Sequence, residues 1–239
     1  MEINAANLDF QTLNKNLKSS SDDYIKITNC LGHRYIGCGV SGRTMDIYGT
    51  PGNALGSYLA GSTIHVYGNA QDATGDTMDS GEIIIHGNCG DTTGYGMRGG
   101  KIFVHGDCGY RVGIHMKAYE EHKPVIVIGG SVGDFLGEYQ AGGTIIILGL
   151  HSQDIPVGDF CGTGMHGGCI YIRSNYLPND LPAQVSAVRA TQEDLIALTS
   201  DIEAFCKYFN ESKEDILNST FYKLTANSKN PYKRLYTHN

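Results

Sequence analysis

The sequence lacks any long hydrophobic run, and its longest purely aliphatic stretches are four residues, as in Ile145–Leu148. No segment is therefore long enough to span a bilayer. Basic residues are also few, 18 against 25 acidic ones, and the net charge of −7 disfavours nucleic acid or an anionic membrane as the main partner. The polar amino terminus lacks the layout of a secretory signal. These absences predict a soluble, cytoplasmic protein.

The sequence also lacks the cysteine spacing of a disulfide framework or a zinc finger. It contains seven cysteines, an odd number, and no Cys-x-x-Cys pair. We therefore expect reduced thiols. Cys89 and Cys108 stand one repeat apart in a column that Ala70 continues, which indicates small packed residues.

Glycine is absent from both ends of the chain. All 32 glycines lie between Gly32 and Gly168, so the first 31 and the last 71 residues contain none. This distribution predicts three parts: an N-terminal cap segment (residues 1–31), a glycine-rich region (residues 32–174) and a helical C-terminal extension (residues 175–239).

The glycine-rich region is a repeat of aliphatic segments that end in glycine. The first four segments end 19 residues apart and two longer steps follow, at Gly49, Gly68, Gly87, Gly106, Gly129 and Gly149. Strand alternation predicts that two columns point inward. These columns are Met45, Ile64, Ile83 and Ile102, and Ile47, Val66, Ile85 and Val104.

A constant period near 20 residues is typical of a solenoid. Leucine-rich, calcium-binding nonapeptide and hexapeptide repeats are excluded, because their diagnostic residues or periods are missing. Parallel crossovers are overwhelmingly right-handed. We therefore predict an all-β solenoid, a right-handed parallel β-helix of about seven coils. A small helical C-terminal segment follows it.

Sequence patterns at both ends predict helices that cover the repeat. Near the amino terminus, apolar residues at helical spacing precede a strand-like segment; they are Phe10, Leu13 and Leu17, followed by Tyr24, Ile25 and Ile27. Thr191 with Asp194 predicts a capping box. An apolar stripe follows at Leu195, Leu198, Ile202 and Phe205. A second short helix is predicted at Glu214–Leu217, ahead of a basic, aromatic tail at 230–236.

Four aromatic residues form an outward column, Tyr48, Tyr67, His86 and His105. Although His86 and His105 are one repeat apart, their column neighbours are tyrosines, so we expect surface aromatics rather than a metal site. The same expectation holds for the histidines in irregular stretches, which are His115, His122, His151 and His166.

Five cations stand out in a glycine region that is otherwise poor in them: Arg43, Arg98, Lys101, Arg111 and Lys117. A solvated face is favoured over a groove for an anion. The segment Gly94–Gly100 is followed by a strand rather than a helix, so it is not a phosphate loop. Cys38, Cys161 and Cys169 have no base that the sequence identifies. The sequence contains no recognisable combination of a nucleophile, a base and a group that orients the base. We therefore predict no catalytic, cofactor-binding or metal-binding residue.

Glycine clusters that lead into aliphatic strands carry a family resemblance. They are Gly52–Gly56, Gly75–Gly81, Gly94–Gly100, Gly133–Gly143 and Gly162–Gly168. The pattern resembles the GXGXG β-helix domain of the glutamate synthase large subunit, over residues 32–174. The segments Phe221–Leu224 and Pro231–Leu235 resemble the end of the same domain. The C subunit of formylmethanofuran dehydrogenase is similar as well.

The resemblance implies a non-catalytic structural subunit of a glutamate synthase-like oxidoreductase. Such a subunit holds a glutamine amidotransferase and an FMN-binding synthase component together, with FMN and the iron–sulfur cluster on partner chains. The 239 residues leave no room for a (β/α)₈ barrel of about 250 residues, and Met1 is not a catalytic cysteine. A subunit of a formylmethanofuran dehydrogenase-like complex and an independent ligand-binding protein remain alternatives, and self-association stays open.

Overall fold

The computed structural model of the chain describes residues 1–227. The predicted tail at 230–236 lies outside the described residues. The elements follow in the order β1 (Glu2–Asn4), α1 (Phe10–Ser19), β2 (Tyr24–Leu31), β3 (Thr44–Thr50), β4 (Ala60–Tyr67), β5 (Ser80–Ile85), β6 (Lys101–Val104), β7 (Val125–Ile128), β8 (Ala141–Ile147), β9 (Gly167–Arg173), β10 (Val185–Arg189), α2 (Gln192–Phe209), α3 (Lys213–Leu217) and β11 (Phe221–Ala226).

Hydrogen bonds join these strands into one eleven-stranded sheet with the order β1-β2-β3-β4-β5-β6-β7-β8-β9-β11-β10. Successive strands from β1 to β9 run parallel. Strand β11 is antiparallel to both β9 and β10. The prediction of an all-β solenoid in the form of a right-handed parallel β-helix is therefore wrong, because the strands form a single open, mixed and mostly parallel sheet.

The physical reason lies in the turns between the strands. Each repeat supplies one strand of the sheet, and the next stretch contains residues of positive φ, such as Ala73 at 57° and Gly75 at 72°. L-residues rarely adopt this conformation and cannot extend a strand in it. The turns meet through backbone hydrogen bonds, such as Gly75 N to Leu55 O at 2.8 Å, rather than through long strands of their own.

The register of the strands confirms the predicted residue columns. Met45 pairs with Ile64, Ile64 with Ile83, and Ile83 with Ile102, and all four side chains are fully buried. Asn88 accepts a hydrogen bond from Asp107 N, 19 residues along the chain. The corresponding hydrogen bond spans 24 residues from Ser131 N to Asp107, and 25 residues from Asp159 N to Asp134. The loop before β7 and the loop after β8 therefore each contain an insertion.

Two hydrophobic cores lie on opposite faces of the sheet, as strand alternation requires. The inner core contains the two predicted columns together with Leu13 and Leu17 of α1. The outer core lies between the sheet and α2, where Ile84 and Phe103 pack with Ile202 and Phe205. Burying each of these side chains contributes about 1.5–3 kcal/mol before the entropy cost.

The predicted helical segment at the carboxyl end is confirmed. Thr191 and Asp194 form a capping box at the start of α2, and Ser212 caps α3. Asp194 also accepts hydrogen bonds from Lys223 Nζ at 2.6 Å and from the Tyr171 hydroxyl at 3.0 Å. These contacts attach the first turn of α2 to β9 and β11.

The helix predicted near the amino terminus is confirmed as α1, and it packs at the β1 end of the sheet. Arg43 donates hydrogen bonds to the carbonyl oxygens of Leu17 at 2.5 Å and Ser20 at 2.6 Å, which satisfies the end of the helix. His33 donates from Nε2 to Leu8 O at 2.8 Å when Nδ1 accepts from Leu31 N. None of the three helices in residues 1–227 is long and apolar enough to cross a membrane.

Candidate interaction surface

The outward aromatic column forms a stack of rings on the outer face of the sheet. The ring centroids of Tyr48 and Tyr67 are 4.7 Å apart, and those of Tyr67 and His86 are 4.8 Å apart. The rings are nearly parallel, with interplanar angles of 16° and 19°. This spacing matches the separation of neighbouring strands, so the backbone register itself brings the rings into contact.

The end of α2 covers the second half of this column. The Phe209 ring stacks on His105 at 4.8 Å and meets the edge of His86 at 5.2 Å. His105 Nε2 lies 2.9 Å from Glu211 Oε1. Burial lowers the pKa of His86 below its ordinary value, and the nearby His65 and His105 add to this shift. Both histidines therefore contact the Phe209 ring, and His105 also contacts the Glu211 carboxylate.

The first half of the column is uncovered. Tyr48 is 40% exposed and Tyr67 is 41% exposed. Lys26 Nζ lies 5.5 Å from the centroid of the Tyr48 ring. Tyr24 donates a 2.8 Å hydrogen bond to Asp46, and this bond raises the pKa of Tyr24 to about 12. We call Tyr24, Lys26, Asp46, Tyr48 and Tyr67 the exposed aromatic face. The neighbouring His65 is half-buried, and its ring meets the edge of Tyr208 in α2 at 5.8 Å.

Three of the five predicted surface cations bind separate elements of the fold. Arg43 contacts the end of α1, as described above. Lys101 Nζ pairs with Asp201 of α2 at 2.7 Å. Arg111 Nε pairs with Glu138 at 3.0 Å, and its guanidinium lies 4.9 Å from the centroid of the Phe135 ring. Arg98 and Lys117 are exposed. The structure therefore does not gather the five cations around one groove.

The remaining histidines lie in different surroundings. The His115 ring stacks on Tyr139 at 5.0 Å, and His151 meets the edge of His105 at 6.4 Å. His166 Nδ1 lies 3.1 Å from Gly164 O, and His122 is exposed. Within residues 1–227, no group of three or more His, Cys, Asp or Glu side chains could hold a metal ion.

The two cysteines of the small-residue column, Cys89 and Cys108, form an isolated parallel β-bridge. Both are buried in the inner core, which confirms that they are packed small residues. The hydrogen bond from the Cys108 thiol lowers the pKa of Cys89 to about 7, while burial raises the pKa of Cys108 well above its ordinary value. Burial raises the pKa of Cys161 to about 12 and also raises that of Cys169. Cys38 is partly buried.

Sequence reasoning missed the residues that bring α2 onto the outer face. Phe209 continues the predicted stripe four residues beyond Phe205, so helical spacing could have identified it. Glu211 has no sequence signal, because its partner His105 is 106 residues away. Tyr208 was also missed, although its hydroxyl donates a 2.6 Å hydrogen bond to Glu82.

Comparison with known proteins gives a family, a relative and a solved structure. The family model described as the GXGXG motif matches residues 24–228. The uncharacterized protein MJ1350 of Methanocaldococcus jannaschii is 45% identical over 249 residues, which cover 98% of this chain and 95% of that protein.

The solved structure is a chain of the formyltransferase/hydrolase complex (FhcABCD) from Methylorubrum extorquens in complex with methylofuran. It superposes with a TM-score of 0.65 at 19% identity, covering 92% of this chain and 88% of that chain. At this identity, the similarity concerns the fold. Because the family model spans the sheet from β2 to β11, the chain belongs to the GXGXG motif family.

Proposed function

We propose that this chain is a structural subunit of a multi-chain oxidoreductase of the glutamate synthase type. In this role it holds a glutamine amidotransferase and an FMN-binding synthase component in position, and FMN and the iron–sulfur cluster belong to the partner chains. The observation that carries the proposal is the match to the GXGXG motif over residues 24–228.

The exposed aromatic face is the surface that we assign to a partner subunit. Tyrosine is enriched at protein interfaces because its ring offers a large apolar area with a hydroxyl at its end. The stacked Tyr48 and Tyr67 rings already hold each other in place, so these two side chains would lose little conformational entropy when a partner binds. The same outer face is covered by α2 farther along the sheet, where Ile84 and Phe103 are fully buried.

Affinity purification of the tagged chain from its native cells tests the proposal. We expect stoichiometric recovery of an amidotransferase and of a flavoprotein, with the absorbance of flavin and iron–sulfur clusters in the purified complex. A chain that purifies alone and colourless under mild conditions would refute the subunit role.

A second candidate is a subunit of a formylmethanofuran dehydrogenase-like complex. The structural similarity to a chain of the formyltransferase/hydrolase complex favours it, since that chain also works within a multi-subunit assembly. The same purification separates the two candidates by the identity of the partners. Recovery of a molybdopterin or tungstopterin enzyme supports the second candidate and argues against the first.

A further inference from the structure

An insertion in the repeat creates a polar cavity beside the carboxyl ends of β8 and β9. The step after β8 spans 25 residues instead of 19, and the additional residues form a loop after Gly149. This loop, the end of β9 and the turn before β11 enclose a cavity of about 290 Å³. Neither the family resemblance nor the aromatic column accounts for it.

The cavity is lined by groups that form hydrogen bonds. Its walls include hydroxyl and amide side chains, among them Ser152, Ser174, Asn175, Asn218, Ser219 and Thr220. Arg173 is the cation of the lining and Asp154 is its carboxylate. A binding site for a small polar molecule needs a concave surface with a few convergent polar groups, and this cavity provides both.

Arg173 is held in a defined orientation. Its Nε donates a 2.9 Å hydrogen bond to Ser219 Oγ, and its Nη1 donates a 2.9 Å hydrogen bond to Leu148 O. Ser219 Oγ in turn donates to Asp215 O at 2.8 Å, so its lone pair faces the arginine. Within residues 1–227, Nη2 has no acceptor. The guanidinium therefore presents free donors while its other side is fixed by the protein.

Arg189, at the end of β10, holds the turn before β11 from outside the cavity. Arg189 Nη2 donates a 3.2 Å hydrogen bond to Thr220 Oγ1, and Thr220 is part of the cavity wall. Thr220 also accepts a backbone hydrogen bond from Ser174 N, which ties the turn to the chain that follows β9. These bonds fix the cavity wall that carries Thr220, and Arg173 supplies the guanidinium that lines the cavity.

From these contacts we propose that the cavity binds a small oxyanion, a carboxylate or a phosphate, through Arg173. The planar guanidinium matches the geometry of both anions, and hydroxyl and amide donors complete the shell. The exposed Asp154 carboxylate also lines the cavity, and its negative charge is expected to weaken the binding of an anion. This proposal does not depend on the proposed function, because it concerns the isolated chain.

Titration of the ¹⁵N-labelled chain at low ionic strength, followed by NMR, tests the proposal with two probes, sodium phosphate and sodium succinate. We expect saturable shifts of the amides of Gly149, Asn175 and Ser219, and the tighter probe identifies the class of anion. Arg173→Gln should weaken binding by at least about tenfold, because a charge-assisted hydrogen bond is lost.

Two further variants separate anion recognition from a change of local structure. Asp154→Asn keeps every contact of Arg173, and it should tighten binding by about threefold because it removes a repelling charge. Arg111→Gln removes a cation that does not line the cavity, and it should leave the affinity unchanged. Shifts that do not saturate with either probe, or equal affinity in Arg173→Gln and the unaltered chain, would overturn the proposal.

Discussion

Gly75 shows how a turn of the repeat restricts a single residue. Its φ is +72°, and a Cβ atom there would lie 2.4 Å from Ile102 Cδ1 in the inner core. Gly32 has the same φ, but no atom lies within 4 Å of the corresponding position. Gly75 and Gly32 therefore differ in one respect. Both need glycine for its positive φ, but only Gly75 also lacks the space for a Cβ atom.

We expect Gly75→Ala to lower the free energy of unfolding by about 2–4 kcal/mol, since it combines a left-handed alanine with overpacking of the core. Gly32→Ala should cost about 1 kcal/mol, because only the conformational term applies. Urea unfolding of both variants, followed by circular dichroism, measures the two losses. Equal losses would show that the inner core adjusts to the added methyl group.

Helix α2 depends on one carboxylate at its first turn. Burial would raise the pKa of Asp194, but hydrogen bonds from Lys223, Thr191 and Tyr171 outweigh it and hold this pKa well below its usual range. The same Lys223–Asp194 contact raises the pKa of Lys223. Burial, followed by the hydrogen bond to Asp194, raises the pKa of Tyr171 to about 12. The folded state therefore favours the ionised form of Asp194.

This preference makes the attachment of α2 sensitive to acid. A carboxyl whose pKa is lower in the folded state stabilises the protein above its unfolded pKa, here near 3.8, and the contribution is lost as the pH falls below that value. We expect Asp194→Asn to cost about 2–3 kcal/mol at pH 7, through the capping box and the bond to Lys223. The difference from the unaltered chain should be constant above about pH 5 and shrink as the pH falls from about 4 toward 2.

Urea unfolding across this pH range provides the measurement. Asp180→Asn is the matched control, because it removes an exposed carboxylate at a turn and should change the free energy of unfolding by less than about 0.5 kcal/mol. A difference between Asp194→Asn and the unaltered chain that does not vary with pH would contradict the assignment.

The whole molecule is a sheet whose outer face is covered along only part of its length. The exposed aromatic face occupies β2–β4, and α2 packs over the outer core farther along. If a partner subunit binds the exposed aromatic face, as proposed, removal of its two stacked tyrosines should release that partner without unfolding the chain.

We expect the double variant Tyr48→Ala, Tyr67→Ala to recover at least about tenfold less partner in affinity purification, as for a pair of interface hot spots. Its free energy of unfolding should fall by only about 1 kcal/mol, because both rings are partly exposed. Tyr119→Ala is the control, since Tyr119 is 59% exposed and belongs to no part of this surface. If the double variant recovers as much partner as the unaltered chain, the partner does not bind through the exposed aromatic face.

Local patterns were sufficient to predict much of the fold. The 19-residue spacing predicted the paired columns, as in Ile64 with Ile83. The capping box at Thr191 and the stripe at Ile202 predicted α2. The division of the chain at 31/32 and 174/175 stays a prediction.

The sequence by itself determined which residues lie beside each other in successive strands and where helices begin, because both depend on neighbours at a fixed short spacing. Only the tertiary structure decided that the strands form one open sheet and that α2 covers its outer face. Those features rest on contacts between residues far apart in the chain, such as Lys101 with Asp201, 100 residues apart, and Tyr208 with Glu82, 126 residues apart. No periodicity encodes such pairs, because they form only when folding brings separate surfaces together.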